Sequence, residues 1–260
     1  MEVSITDAPE EIKMYAEVNG LRMYYEVHGD GRPVVLLHGG AQTIDVTFGE
    51  LLPWLAEDFQ VIAVELQGHG RTEDIDRPPL LEHLASDVLA LLDELGVDRA
   101  DFFGYSLGGL VSLTVATHYP DRVRRLVLAA THFRRDGYHD DIRKGAEDSD
   151  RMPTREEFES WHAAYTKVAP DPDHYFALAQ RMSEVVHSFR DWTADELRAI
   201  TAPTLLIVGD NDFIRLPHAE QMRDLLPDSR LAVLPGTRHS EVMQQFDLVL
   251  SMVTAFLRTP

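Results

Sequence analysis

The sequence predicts an α/β fold, a mostly parallel sheet with helices on both faces, and three observations carry that expectation. Residues 33–37, 125–130 and 204–209 are continuous apolar runs of strand length, as strands buried on both faces require. Stretches with helical apolar spacing separate such runs, and this alternation calls for parallel pairing through right-handed crossovers. The hexapeptide Gly104-Tyr105-Ser106-Leu107-Gly108-Gly109 lies between the apolar run 100–103 and the helical stretch 110–118. A serine at a strand-to-helix junction with glycine two residues to either side is the G-x-S-x-G elbow pattern. The turn is so tight that its neighbours cannot carry a Cβ, and the hydroxyl is left protruding at the tip.

Taken in order, residues 1 to about 13 are polar and form a loose lead-in. Residues 15–18 and 21–27 read as a hairpin, because Asn19-Gly20 supplies the positive φ that its turn needs. The strand at 33–37 ends in His38-Gly39-Gly40. A helix around 48–56, a strand at 61–64 and the polar loop Gln67-Gly68-His69-Gly70-Arg71-Thr72 follow. Leu81, Leu84, Val88, Leu91, Leu92 and Leu95 recur at helical spacing, with Gly96 as the stop. After the hexapeptide, its helix and the strand at 125–130, the next clear strand arrives only at 204–209. The interval 132–199 is charged, aromatic and helical in pattern, and Pro153, Pro170 and Pro172 break it up. An interval of that length with its own periodicity is an inserted helical lid, so the core is expected at 1–131 and 200–260 and the cap at 132–199. A helix at 217–226, a strand at 230–234 and a final helix carrying Val242, Met243, Phe246, Val249, Leu250, Val253 and Phe256 complete the chain.

Composition narrows the function. The chain has 260 residues, 44% hydrophobic and 26% charged, as in an ordinary globular protein. No apolar run approaches membrane-spanning length and the first residues are acidic, so a cytoplasmic location is expected. Zero cysteines exclude disulfides, thiol catalysis and cysteine-ligated zinc. A formal charge of −20 disfavours nucleic acid and anionic membrane as partners, leaving a small molecule, with a homodimer left open. The 12 histidines include no H-E-x-x-H spacing, and neither a dinucleotide fingerprint nor a phosphate loop is complete; no metal and no cofactor are expected.

A serine hydroxyl is a weak nucleophile near neutrality and needs a base, itself oriented by an acid. Two loops after late strands supply both: Gly209-Asp210-Asn211-Asp212 and Gly236-Thr237-Arg238-His239. Both lie at C-terminal strand ends, the edge where open α/β sheets place their sites. The backbone N–H of Leu107, in the first turn of the new helix, can serve as one oxyanion donor.

From residue 15 to residue 257 the chain resembles the α/β-hydrolase superfamily, in particular its small serine hydrolases with a helical cap between the sixth and seventh strands of an eight-stranded sheet. The resemblance implies Asp212 as the acid closing G-x-x-D, with Asp210 second, and His239 as the base closing G-x-x-H. It also implies the backbone N–H of Gly40, third in His38-Gly39-Gly40, as the other oxyanion donor, with His38 itself structural. Relatives usually carry Asp and then G-x-G-x-S where this chain has Glu65-Leu66-Gln67-Gly68-His69-Gly70-Arg71-Thr72, a departure that bears on loop geometry and specificity. Serine in place of a nucleophilic aspartate argues against dehalogenation and epoxide opening.

The activity implied is cleavage of a small carboxylic ester or lactone through an acyl-enzyme. C–C bond hydrolysis, cofactor-free perhydrolysis and amide cleavage are alternatives on the same residues, and a receptor without turnover is the alternative of another kind. Tyr105, His132, Tyr138, Trp161, Tyr165 and Trp192 are candidate substrate contacts. Against that, His132, Arg134, Arg135, Tyr138 and His139 also fit a solvated lid surface. Trp161, His162, Tyr165, Phe176, Met182 and Trp192 also fit the small core that an insertion needs.

Overall fold

In the computed structural model, which describes residues 12–144 and 149–259, the turn at Asn19 (φ 51°) and Gly20 (φ 80°) closes an antiparallel hairpin of β1 (Ile12–Val18) and β2 (Leu21–His28). Of the polar lead-in expected over residues 1 to about 13, residues 1–11 lie outside the described residues, and residues 12 and 13 instead open β1. β3 (Arg32–Leu37), β4 (Phe59–Val64), β5 (Ala100–Tyr105), β6 (Val123–Ala129), β7 (Thr204–Gly209) and β8 (Ser229–Leu234) complete one eight-stranded sheet in the order β1-β2-β4-β3-β5-β6-β7-β8. Only β2 runs against its neighbours; all pairs from β4 to β8 are parallel.

Alternation along the buried strands sorts their side chains into two layers. Phe102, Leu126 and Leu128 face the layer of α3 (Leu81–Glu94) and α4 (Leu107–His118). Phe103, Val127 and Ile207 face the layer of α1 (Ile44–Phe48), α2 (Leu52–Leu55) and α10 (Phe246–Arg258). Phe102 and Phe103 are both fully buried, and truncating either to Ala costs about 3–5 kcal/mol. In α4 every residue from Leu107 to Ala116 is buried, so the helix leading away from Ser106 is gripped on all sides.

Two helices differ from the sequence reading. The helix expected at 48–56 is two short ones, because α1 stops at Gly49 and Pro53 is tolerated only in the opening turn of α2. The expected final helix is also split. Val242 and Met243 belong to a 3₁₀ segment, His239–Gln244, and Gln245 (φ −78°, ψ 54°) breaks the chain before α10.

Between β6 and β7 run α5 (Asp140–Arg143), α6 (Arg155–Val168), α7 (Tyr175–Ser188) and α8 (Ala194–Arg198). Thr154 with Glu157 and Thr193 with Glu196 form capping boxes that start α6 and α8. Tyr165, Tyr175, Leu178, Met182 and Trp192 are buried in this segment, whereas Phe176, read from the sequence as pocket or core, is 61% exposed. α9 (Leu216–Leu225) links β7 to β8. Among the described residues no helix is long and apolar enough to cross a membrane.

Candidate active site

Ser106 follows β5 and caps α4 with φ 50° and ψ −113°, and its N–H donates to the Ala129 carbonyl of β6 at 2.9 Å. A Cβ on Gly104 would overlap the Gly108 carbonyl, and one on Gly108 would overlap the Leu37 carbonyl, so both glycines are sterically required. Gly108 N–H donates to the His38 carbonyl at 3.0 Å, tying the start of α4 to the end of β3.

His239 reaches Ser106 from the loop after β8, with Nε2 2.9 Å from Oγ. Its Nδ1 stands 2.9 Å from Asp212 Oδ1, in the loop after β7. Carboxylate oxygens only accept, so Nδ1 carries the proton and Nε2 is left as the acceptor for the hydroxyl. Asp212 is buried; Oδ1 also accepts the Ile214 N–H at 3.0 Å, while Oδ2 meets no partner among the described residues. Asp210 lies apart from the imidazole, its Oδ1 accepting the Thr237 N–H at 3.1 Å.

The imidazole is held from two sides. Phe213 stacks on it at 3.7 Å between ring centroids and 22° between planes, and the Tyr105 hydroxyl donates to the His239 carbonyl at 3.0 Å. Arg151 donates to the Asp212 carbonyl at 3.0 Å. Arg238 donates to Met152 O at 3.2 Å and pairs with Glu157 at 3.3 Å, joining the His239 loop to the start of α6.

On the other flank of Ser106 lies the loop after β3. A Cβ on Gly40 would stand 3.8 Å from Leu107 Cβ, so these two backbones are neighbours. Among the described residues neither of their N–H groups donates to an acceptor. The loop is tied to the segment after β4 by three bonds: Leu66 N–H to His38 Nε2 at 3.1 Å, Ala41 N–H to His69 Nε2 at 3.1 Å, and Ile44 N–H to Glu65 Oε1 at 3.4 Å. The Nδ1–H groups of His38 and His69 donate to Gly39 O (2.8 Å) and Gln67 O (3.0 Å). Burial pushes both imidazoles down, His69 to about 4, so they stay neutral and Nε2 stays an acceptor.

Glu65 opens the stretch 65–72, where the sequence departs from the pattern that the resemblance implies. It accepts from Arg71 N–H (2.5 Å) and Arg71 Nη1 (2.8 Å), yet burial outweighs the guanidinium and pushes its carboxyl up to about 7. Three non-glycine residues at positive φ, Ala41 (58°), Ser106 (50°) and Ala130 (49°), follow the adjacent strands β3, β5 and β6. Each costs roughly 1–2 kcal/mol relative to relaxed backbone.

The remaining candidates separate by position. Tyr105 is buried with its hydroxyl engaged by His239, and burial raises its pKa, so it backs the His239 loop. His132 and Tyr138 are buried at 3% and 4% exposure with rings 4.3 Å apart, which removes the solvated-surface reading for these two. Burial holds His132 neutral and leaves its Nε2 without a partner among the described residues. Tyr138 also packs edge-on against Phe213 at 5.4 Å. Arg134 and Arg135 do lie at the surface, paired with Asp136 and Asp191. Trp161 helps line a cavity of about 390 Å³ with Gln42, Tyr105 and Ser240. Tyr165 donates to Gly68 O at 3.3 Å, from the insertion to the loop after β4, and Trp192 packs on Phe189 at 5.2 Å inside the insertion. Phe213, Arg151 and the roles of Glu65 and His69 were absent from the sequence reading.

Residues 32–148 match the family described as alpha/beta hydrolase fold. Over 258 residues the chain is 30% identical to the dihydrolipoyllysine-residue acetyltransferase component of the acetoin cleaving system of Pseudomonas putida, across 94% of this chain and 68% of that protein. The chain belongs to the α/β-hydrolase family. This α/β hydrolase is also 28% identical to a non-heme haloperoxidase of Rhodococcus erythropolis, across 93% of this chain and 97% of that one. The 2-hydroxy-6-oxo-6-phenylhexa-2,4-dienoate hydrolase of Rhodococcus sp. strain RHA1 superposes with a TM-score of 0.80 over 97% of this chain and 100% of that one, at 21% identity, a likeness of fold. A putative carbamate hydrolase of Rhizobium rhizogenes is 28% identical across 91% of this chain and 98% of that one, which supports an enzyme of the α/β-hydrolase type.

Proposed function

We propose that this α/β hydrolase is a cofactor-free serine hydrolase that cleaves a small carboxylic ester or lactone through an acyl-enzyme. The observation that carries this reading is the unbroken hydrogen-bond chain from Ser106 Oγ through His239 to Asp212, with both links at 2.9 Å. Ser106 attacks the carbonyl carbon while His239 Nε2 takes its proton. Asp212 keeps the imidazole in the Nδ1–H tautomer and stabilises the imidazolium that forms. The N–H groups of Gly40 and Leu107 receive the negative oxygen, a contribution of about 3–4 kcal/mol per donor in enzymes where one has been removed. His239 then protonates the leaving alkoxide, and water repeats the sequence to release the acid.

The helices at 140–198 act as a cap in this reading, and His132, Tyr138 and Trp161 are the substrate contacts that their placement near the base and Tyr105 supports. A protein of this kind works free in solution on a small molecule, with neither nucleic acid nor membrane as partner.

The test is a burst assay with p-nitrophenyl acetate and butyrate, with intact-mass analysis after a fluorophosphonate. A stoichiometric burst and one probe mass on Ser106 are expected. A well-folded protein with neither burst nor label would overturn the reading and favour a receptor without turnover. Release of peracid from acetate and hydrogen peroxide faster than ester turnover would instead favour perhydrolysis, the alternative on the same residues.

A further inference from the structure

The backbone at Ala41 is the weak point of the loop beside Ser106. Its φ of 58° is a conformation an alanine does not hold unaided, and the residue is buried, where its N–H must find a partner. That partner is His69 Nε2 at 3.1 Å, on a separate segment of chain 28 residues away. His69 is itself fixed, its Nδ1–H donating to Gln67 O at 3.0 Å and its ring lying 4.7 Å from that of His38. The peptide that bonds to His69 is the one joining Gly40 to Ala41, so its orientation sets the ψ of Gly40 and the direction in which the loop leaves the site. On the other side of Gly40, the His38 carbonyl is pinned by Gly108 N–H at 3.0 Å. The peptide that carries Gly40 N–H is held at the Gly39 carbonyl by His38 Nδ1–H at 2.8 Å and Gln42 N–H at 3.3 Å, and the next peptide is held by His69.

From this clamp we infer that His69 is a positioning residue for the reaction: by accepting the Ala41 N–H it fixes the strained Gly40–Ala41 peptide, and with it the course of the loop that leaves the Gly40 N–H facing the oxyanion. The inference rests on the serine-hydrolase reading above. It assigns His69 no contact with substrate and no proton transfer. Burial keeps the ring neutral, as the acceptor role requires, with a pKa of about 4.

Such a residue acts on the transition state alone, because the tetrahedral oxygen needs the donor more than the ground-state carbonyl does. His69→Ala is expected to lower kcat about ten- to a hundredfold with KM within about twofold of wild type. Fluorophosphonate labelling of Ser106, which also builds negative charge on oxygen, slows in parallel. His69→Gln, whose amide oxygen can take the place of Nε2, recovers most of the rate. In the His69→Ala background, Ala41→Gly restores part of kcat, because glycine holds φ 58° without the imidazole.

Wild-type kcat and labelling rate in a folded His69→Ala protein overturn the inference, as does an equal rise in KM and fall in melting temperature with no recovery in either second variant. Should His69→Ala fail to fold, His69→Gln decides: near-wild-type kcat with Ala41→Gly adding nothing supports the clamp, and a kcat loss that Ala41→Gly leaves unchanged overturns it. A wild-type enzyme that fails to label at Ser106 would defeat the serine reading first, so the two failures are distinguishable.

Discussion

The two flanks of Ser106 are built from different materials. The base flank is charged and aromatic: Asp212 and His239, Phe213 stacked on the imidazole, and Arg151 and Arg238 tying both loops to the start of α6. The donor flank is a set of backbone bonds to two neutral histidines and one buried glutamate. The difference follows from what each does in the proposed reaction. The base must gain and lose a proton every turnover, so it sits beside a carboxylate and near the start of α6. The donors must present the same field throughout, and two of their supports are imidazoles that burial keeps neutral.

The largest effects belong to the base flank. Ser106→Ala is expected to lose several orders of magnitude in turnover of p-nitrophenyl butyrate with an unchanged circular dichroism spectrum. A variant that turns over at the wild-type rate would dissolve the comparison altogether. Asp212→Asn follows, with a loss of about 10⁴-fold in kcat, because an amide in place of the carboxylate favours the wrong tautomer. Asp210→Asn changes kcat less than about twofold if the geometry has chosen the right acid.

Smaller effects come from what surrounds the imidazole. Phe213→Ala removes the stacked ring and is expected to cost two- to tenfold in kcat, on the order of 0.5–1.5 kcal/mol. Glu157→Gln loosens the part-buried pair to Arg238, worth at most about 1 kcal/mol, and shows as a modest rise in KM that 1 M salt reproduces in wild type.

The donor flank answers to pH through stability. Burial lowers the pKa of His69 from 6.5 to about 4, so between those values the unfolded chain binds a proton that the folded chain refuses. Its contribution is complete above pH 6.5 and is lost as pH falls through that window. Glu65 runs the other way: its pKa rises from 4.5 to about 7, so the folded chain binds the extra proton and gains stability as pH falls from 7 to 4.5. Urea midpoints between pH 7 and 4 should therefore fall less steeply in His69→Gln and more steeply in Glu65→Gln. Slopes unchanged in both would mean that these groups are not desolvated as placed.

What the sequence made legible follows the same division. Gly104, Ser106 and Gly108 are readable because the steric demand of one tight turn is written in adjacent letters; the loops that hold Asp212 and His239 are readable because each follows an apolar run, while the choice of those two residues, Asp212 over Asp210 included, came from the resemblance. The sheet was readable for the same local reason, each buried strand being a continuous apolar word. The supports were hidden because they are contacts between distant segments: Arg151 meets Asp212 across 61 residues and Arg238 meets Glu157 across 81. Phe213 is next to Asp212 in the chain, but nothing local says that its ring turns back onto His239. The burial of His132 and Tyr138 was equally unreadable, since His, Arg and Asp around them suggest solvent until Phe189 and Phe213 close over the pair.

The positive-φ residues Ala41, Ser106 and Ala130, at the ends of three adjacent strands, have a consequence for anyone who heats or evolves this enzyme. They gather several kcal/mol of conformational strain into one edge of the sheet, roughly half the net stability of a typical domain. The easiest gains in melting temperature thus lie at glycine substitutions of Ala41 and Ala130, within reach of the nucleophile. A selection for heat tolerance alone would find them early, and would trade away the rigidity that keeps the donors aimed. Thermostability is better sought at the far edge of the sheet.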